Sequence, residues 1–147
     1  MQNVSRLVVS AFLLLGACVE ADVESVRERD LEGAYEALRT NIAAIHRRDT
    51  EGYLAHYLES PELVVATADS LRRGFVLFSE ARRASDEWPD TLIIDRPTMV
   101  WVAPGVVWAG FRFTAVLGRD TTRGVSERLF VKTGGGWKIR VTSSMEQ

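Results

Sequence analysis

Residues 125–144 read Val-Ser-Glu-Arg-Leu-Phe-Val-Lys-Thr-Gly-Gly-Gly-Trp-Lys-Ile-Arg-Val-Thr-Ser-Ser, in a chain of 147 residues. Runs rich in β-branched and aromatic residues lie on both sides of three consecutive glycines, a pattern typical of two strands joined by a tight turn. We therefore predict strands at Val125–Lys132 and Trp137–Ser144. Because the glycines join two strands and do not open a helix, they do not indicate a phosphate-binding loop.

Two further strands are predicted before this hairpin. Leu92–Val102 is rich in Ile, Val and Trp, and Val106–Leu117 is a second long apolar run. The segment 103–105, Ala-Pro-Gly, lies between them and is a turn signal. The C-terminal half of the chain is therefore predicted to form consecutive antiparallel strands.

The residues before these strands have helical periodicity. We predict an amphipathic helix from about Ser25 to Arg48, because apolar side chains recur there at three- and four-residue steps. These side chains are Leu31, Ala34, Leu38, Ile42 and Ile45.

Shorter elements connect this helix to the strands. Asp49 and Thr50 are N-cap candidates for a second helix, with Tyr53, Leu54, Tyr57 and Leu58, that ends before a proline at position 61. A short strand is predicted at 63–66, and a third helix from 75 to 88. Helices followed by strands predict an α+β domain in which a curved, mostly antiparallel sheet wraps over the long helix.

This order of elements resembles the nuclear transport factor 2-like superfamily, especially its SnoaL-like and ketosteroid-isomerase-like domains. The carriers are the segments 49–57, 73–74 and 134–139, the last being similar to the family's Gly-Gly-Trp-Lys/Arg-Ile opening of the final strand. The resemblance covers about residues 27–145 and implies a cone-shaped α+β barrel over residues 26–147. It also implies an open end that often holds a small molecule, and dimers formed through the sheet.

The N-terminus has the features of a secretory signal. A short polar start with Arg6 precedes an apolar run, and Leu15-Gly16-Ala17 leads directly to Cys18, the only cysteine. This pattern resembles the lipobox of bacterial lipoproteins, which implies a signal peptide at 1–17, an acylated Cys18 and a short tether to residue 25. Val19 follows where many inner-membrane lipoproteins have aspartate. We therefore expect a lipid-anchored, periplasm-facing protein of the cell envelope, at the outer membrane.

Composition limits the partners and cofactors. The chain has 18 Lys and Arg against 20 Asp and Glu and lacks a long basic run, which disfavours a nucleic-acid partner. Two histidines and one cysteine are too few to favour a zinc site. Neither a metal nor a cofactor is predicted.

Five residues are candidates for binding a small molecule. Tyr53 and Tyr57 lie one helical turn apart, and Trp108 and Arg112 share one face of their strand by alternation. Glu127 on the next strand either pairs with Arg112 on the solvent face or joins it inside the cone as a polar anchor. Both alternatives remain open in the sequence.

The resemblance by itself leaves function undecided. Several relatives carry a histidine in the last strand, whereas the corresponding stretch here, 140–144, has none, so a ready base near neutral pH is missing. We expect a non-catalytic domain that binds an apolar or amphipathic molecule or a protein partner. The alternatives are a small isomerase or hydrolase, with Glu127 or Asp95 as its base and a tyrosine as its acid, and a dimerisation or assembly module.

Overall fold

The computed structural model describes the backbone of residues 5–147 and the side chains of residues 22–147. The side chains of Cys18 and of the predicted signal at 1–17 lie outside the described residues. The elements are α1 (Ser5–His46), α2 (Thr50–Leu54), β1 (Val64–Thr67), β2 (Leu71–Arg73), α3 (Phe75–Arg83), β3 (Thr91–Ile94), β4 (Thr98–Ala103), β5 (Val106–Leu117), β6 (Asp120–Thr133) and β7 (Gly136–Glu146). Within this part of the chain, no helix combines the length and hydrophobicity needed to cross a membrane.

The strands form one curved, unclosed sheet in the order β2-β1-β7-β6-β5-β3, and β4 pairs with the other end of β5. The β1–β7 pair is parallel and the other strand pairs are antiparallel. β6 and β7 form the predicted hairpin, whose register changes between Leu129 and Phe130 and leaves Arg140 as the extra residue. Because a bulge bends its strand and increases the local twist, it helps the sheet to curve. The predicted α+β architecture is confirmed.

The long helix packs in the hollow of this sheet. Ala34, Leu38 and Ile42 of α1 form one core with residues of the central strands, including Val107 and Phe130. We call the side of the sheet that faces α1 the inner face, and the opposite side the outer face. The predicted apolar stripe of the helix is therefore the part of α1 that contacts the core.

Some predicted boundaries of the helices and strands were wrong. α1 begins at Ser5, not near residue 25, and α3 ends at Arg83 instead of extending to Trp88. The strand predicted at 92–102 is two strands separated by residues 95–97; the last of these, Pro97, cannot donate a backbone hydrogen bond. The short strand β2 lies between the predicted strand at 63–66 and the predicted third helix, where no element was predicted.

Candidate functional site

A cavity of about 280 Å³ lies between the helices and the inner face of the sheet. α1 contributes Ile42 and Ile45 to its wall, while β5 contributes Phe111, Phe113 and Ala115. The volume is close to the lower end of the roughly 300–1,000 Å³ typical of small-molecule sites. Its lining is mainly apolar, with a few polar groups.

Aromatic rings form one side of the cavity. The ring of Tyr53 lies 4.9 Å from that of Tyr57 and 5.6 Å from that of Trp88, centroid to centroid. Phe78 of α3 completes the group at 4.6 Å from Tyr57. Trp88 reaches this cluster because α3 stops at Arg83, which allows the chain to turn back over the cavity. These tilted and edge-on arrangements are favourable for aromatic rings.

The two tyrosine hydroxyls form a hydrogen-bonded pair, with 2.5 Å between their oxygens. α2 ends at Leu54, and Tyr57 instead forms an isolated parallel bridge with Ile139, which fixes it against β7. Burial raises the pKa of the Tyr57 hydroxyl well above its ordinary value, and the neighbouring Tyr53 raises it further. Tyr57 therefore keeps its proton near neutral pH and acts as a hydrogen-bond donor or acceptor.

A buried cation lies at the inner end of the cavity. Arg128 on β6 is only 6 % exposed, and its Nη1 donates a short hydrogen bond to Oδ1 of Asn41 on α1. Nδ2 of Asn41 donates to the carbonyl oxygen of Tyr53 over 3.3 Å, so one amide connects α1, α2 and β6. The guanidinium carbon also lies 5.3 Å from the centroid of the Phe111 ring.

The outer end of the cavity is formed by Arg82 and the segment after α3. The guanidinium of Arg82 stacks 4.2 Å above the ring centroid of Trp88. Its Nη2 donates to the carbonyl oxygens of Ser85, at 2.6 Å, and Glu87, at 3.0 Å. Arg82 and Phe78 also border a wider cleft of about 760 Å³ beside the β1–β2 hairpin.

The predicted binding residues do not share one site. Tyr53 and Tyr57 line the interior cavity, whereas Trp108, Arg112 and Glu127 border a separate outer-face groove of about 370 Å³. The indole of Trp108 covers Gly110, where an added Cβ would lie 2.4 Å from the ring.

The two carboxylates considered as catalytic bases also lie on the outer face. Asp95 and Glu127 both border the outer-face groove. Glu127 is opposite Gly110 in the register, whereas Arg112 is opposite Val125. The suggested ion pair between Arg112 and Glu127 is not formed; Glu127 instead accepts a hydrogen bond from Ser143 at 3.3 Å.

Sequence reasoning missed Arg128 and Asn41. Along β6 the buried residues are Gly124, Ser126, Arg128 and Phe130, while Val125 and Leu129 occupy alternate positions. Both alternating sets contain apolar residues, so periodicity alone does not identify the inner one. The pairing of β6 with β5 identifies the inner set. Arg128 is opposite Ala109, and Ala109 lies on the core-facing side of β5.

Three cations act on His56, the residue that precedes Tyr57. Burial lowers the pKa of His56, and the charges of Lys138, Arg128 and Arg47 lower it further.

Among the described residues, no three His, Cys, Asp or Glu side chains are grouped to hold a metal ion.

Comparison with known proteins gives structural relatives only. No family model and no curated protein matches the chain. A nuclear transport factor 2-like protein of unknown function from Shewanella oneidensis MR-1 matches with a TM-score of 0.69 and 18 % identity, covering 78 % of this chain and 97 % of its own. The chain has the nuclear transport factor 2-like fold. This confirms the predicted cone-shaped architecture.

Two other structures with this fold have been assigned as enzymes. A protein from Novosphingobium aromaticivorans DSM 12444, assigned as a scytalone dehydratase, matches with a TM-score of 0.69 and 10 % identity, covering 84 % of this chain and 88 % of its own. One from Parabacteroides distasonis ATCC 8503, assigned as a ketosteroid isomerase, matches with a TM-score of 0.65 and 12 % identity, covering 75 % and 84 %. At these identities the likeness concerns the fold alone.

Proposed function

We propose that this protein binds a small, largely apolar molecule in the interior cavity without transforming it chemically. The observation that carries the proposal is the aromatic wall of Tyr53, Phe78, Trp88 and Phe111 around a space of about 280 Å³. Burial of apolar ligand surface there contributes about 25 cal/mol per Å², before the cost of immobilising the ligand.

The polar groups of the cavity favour binding over acid–base catalysis. A general base must accept a proton near neutral pH, whereas Tyr57 keeps its proton and Arg128 is a permanent cation. Among the described residues that line the cavity, Glu87 is the carboxylate, and it is exposed. An isomerase or hydrolase that uses Asp95 or Glu127 remains the alternative, and it would act in the outer-face groove.

The test is calorimetric titration of the full-length protein, in a zwitterionic detergent, with 1-naphthylacetate and 1-naphthylacetamide. Saturable binding of at least one compound is expected. Ala115→Phe should abolish it, because Ala115 lines the cavity and the new ring would fill the space. Thr114→Phe, one residue away on the opposite face of β5, is the control and should retain binding. Absence of binding by both compounds would reject the proposed function.

We further propose that Cys18 is lipidated and anchors the protein on the periplasmic side of the cell envelope, at the outer membrane. The support is the sequence pattern Leu15-Gly16-Ala17-Cys18 after an apolar run. More than one acyl chain is needed for stable attachment, and the lipobox resemblance implies several.

The test of anchoring is expression in a Gram-negative bacterium, followed by membrane fractionation and mass spectrometry. We expect a diacylglyceryl group on an N-terminal Cys18 in the outer-membrane fraction. Cys18→Ser should remain unprocessed and unacylated. An acyl-free protein released with the soluble periplasmic contents would contradict the proposal.

We also propose that a second copy of this chain covers the outer face of the sheet. The exposed side chains of Val100 and Val102 lie on this face, because they alternate along β4 with Met99 and Trp101, which pack against the core. The groove carries Asp95 and Glu127 as well as Arg96 and Arg112. Because both signs of charge occur on one patch, two copies related by a two-fold axis can pair acids with bases.

A further inference from the structure

The described residues do not neutralise the positive charge of Arg128 inside the cavity. Arg128 forms no ion pair with any described residue, and its Nε is buried without a hydrogen-bond partner. Asn41 supplies one neutral acceptor, for Nη1. Burial of an ionised group with so few partners is costly, so such charges are normally paired. The missing partner is an anion.

The other groups around this guanidinium cannot neutralise it. Phe111 contributes a cation–π contact, which is weaker than the hydration that burial removes. Glu127 immediately precedes Arg128 on β6, but it lies on the opposite face of the strand and borders the outer-face groove. The charged residues that line the cavity are therefore Arg82, Arg128 and the exposed Glu87. The field inside the cavity attracts negative charge.

We propose that Arg128 binds the carboxylate of an aromatic or aliphatic acid, whose apolar part occupies the aromatic side of the cavity. This inference rests on the proposed function and specifies its class of ligand. A planar guanidinium matches a carboxylate in both geometry and charge. Asn41 holds the guanidinium from α1, so the group is oriented before the ligand arrives. The rings of Tyr53, Phe78 and Trp88 then contact the remainder of the acid.

Two probes of nearly the same shape test the proposal. 1-Naphthylacetate and 1-naphthylacetamide differ in charge at one end, so their affinities for the wild-type protein can be compared directly by calorimetry at pH 7. A charge-assisted hydrogen bond should make the carboxylate bind at least about tenfold more tightly. Equal affinities, or tighter binding of the amide, would overturn the proposal. The proposed binding of an apolar molecule in the cavity would still hold. Binding of neither probe would reject the cavity as a site and this inference with it.

Variants assign the preference to one side chain. Arg128→Gln should reduce the affinity for the carboxylate to that for the amide, while the affinity for the amide changes little. Arg123→Gln removes an exposed arginine from the same strand and should keep the preference. A preference retained in Arg128→Gln would overturn the assignment.

A spectroscopic readout observes the response of Arg128 in the wild-type protein directly. Arginine Nε–Hε correlation spectra of the wild-type protein should show the Arg128 signal moving with the carboxylate probe and not with the amide. Arg128→Lys, which keeps the charge, identifies that signal by its loss. A signal that stays in place at saturation with the carboxylate would overturn the proposal.

Discussion

At the residue scale, the buried charged side chains of Asp30 and Arg128 differ in how fully their neighbours compensate the charge. Asp30 on α1 is 2 % exposed and accepts hydrogen bonds from the backbone N–H of Gly105, at 2.7 Å, and from Nε1 of Trp101, at 3.2 Å. Lys132 adds an ammonium group 3.6 Å away. Burial raises the pKa of Asp30, but these partners outweigh it and lower the pKa below its ordinary value. Asp30 is a satisfied buried charge with a structural role, whereas Arg128, which has no ion-pair partner among the described residues, is the group that we propose binds a carboxylate.

Asp30→Asn should lower the free energy of unfolding by about 1–3 kcal/mol at pH 7, because an amide is a poorer acceptor and leaves buried donors unsatisfied. The pKa is lower in the folded state, so this contribution is present above the unfolded pKa of about 4 and is lost as the pH falls through the folded value. Urea denaturation of both proteins at several pH values measures the difference. Asp86→Asn, at an exposed position, is the control. A difference that stays constant down to the lowest pH would contradict this account.

Arg112 gives a second residue-scale prediction, since the sequence proposed it as a ligand-binding group. Its side chain is exposed and borders the outer-face groove. Arg112→Gln should therefore leave the affinity for 1-naphthylacetate within about twofold of wild type, by calorimetry. A loss of affinity comparable to that caused by Arg128→Gln would show that Arg112 contributes to ligand binding.

At the element scale, the contact between α1 and β7 depends on a missing side chain. A Cβ added at Gly33 would lie 2.3 Å from Nε1 of Trp137, the aromatic residue that follows the glycine turn. Trp137 packs against the hydrophobic core from this position. The glycine in α1 therefore lets the helix approach the last strand, although glycine is a poor helix former.

Gly33→Ala should destabilise the protein by about 1 kcal/mol, even though alanine favours a helix by about that amount over glycine. The crowding against Trp137 costs about 1–3 kcal/mol, as in other overpacked cores. Thermal and urea unfolding provide the measurement, with Glu32→Ala at the exposed neighbouring position as the control. An increase in stability would show that the indole moves aside freely.

At the scale of the whole molecule, the sheet separates two surfaces with different expected partners. The inner face closes over α1 and retains a cavity, while the outer face carries exposed apolar residues and charges of both signs. A ligand and a second copy of the chain can therefore bind at the same time without competing for side chains.

Sedimentation velocity should show a dimer for the wild-type protein and a monomer for Val100→Lys. Val100 is 45 % exposed on the outer face, where a lysine would place a charge in the apolar part of the proposed interface. Val76→Lys replaces a valine on α3 that is 65 % exposed and should leave the dimer intact. A dimer that survives Val100→Lys, or a monomeric wild type, would contradict the proposed assembly.

The sequence by itself determined the α+β class, the order of the principal elements, the glycine turn and the apolar stripe of α1. These features rest on local periodicity and turn-forming residues, which act over a few neighbouring positions. Only the tertiary structure decided which face of β6 is inside, because Val125 and Leu129 make the outer set look as suitable for burial as the inner one. The packing of α1 against β5 and β6 resolved this ambiguity. It placed Arg128 beside Asn41 in the interior and Glu127 on the outer face.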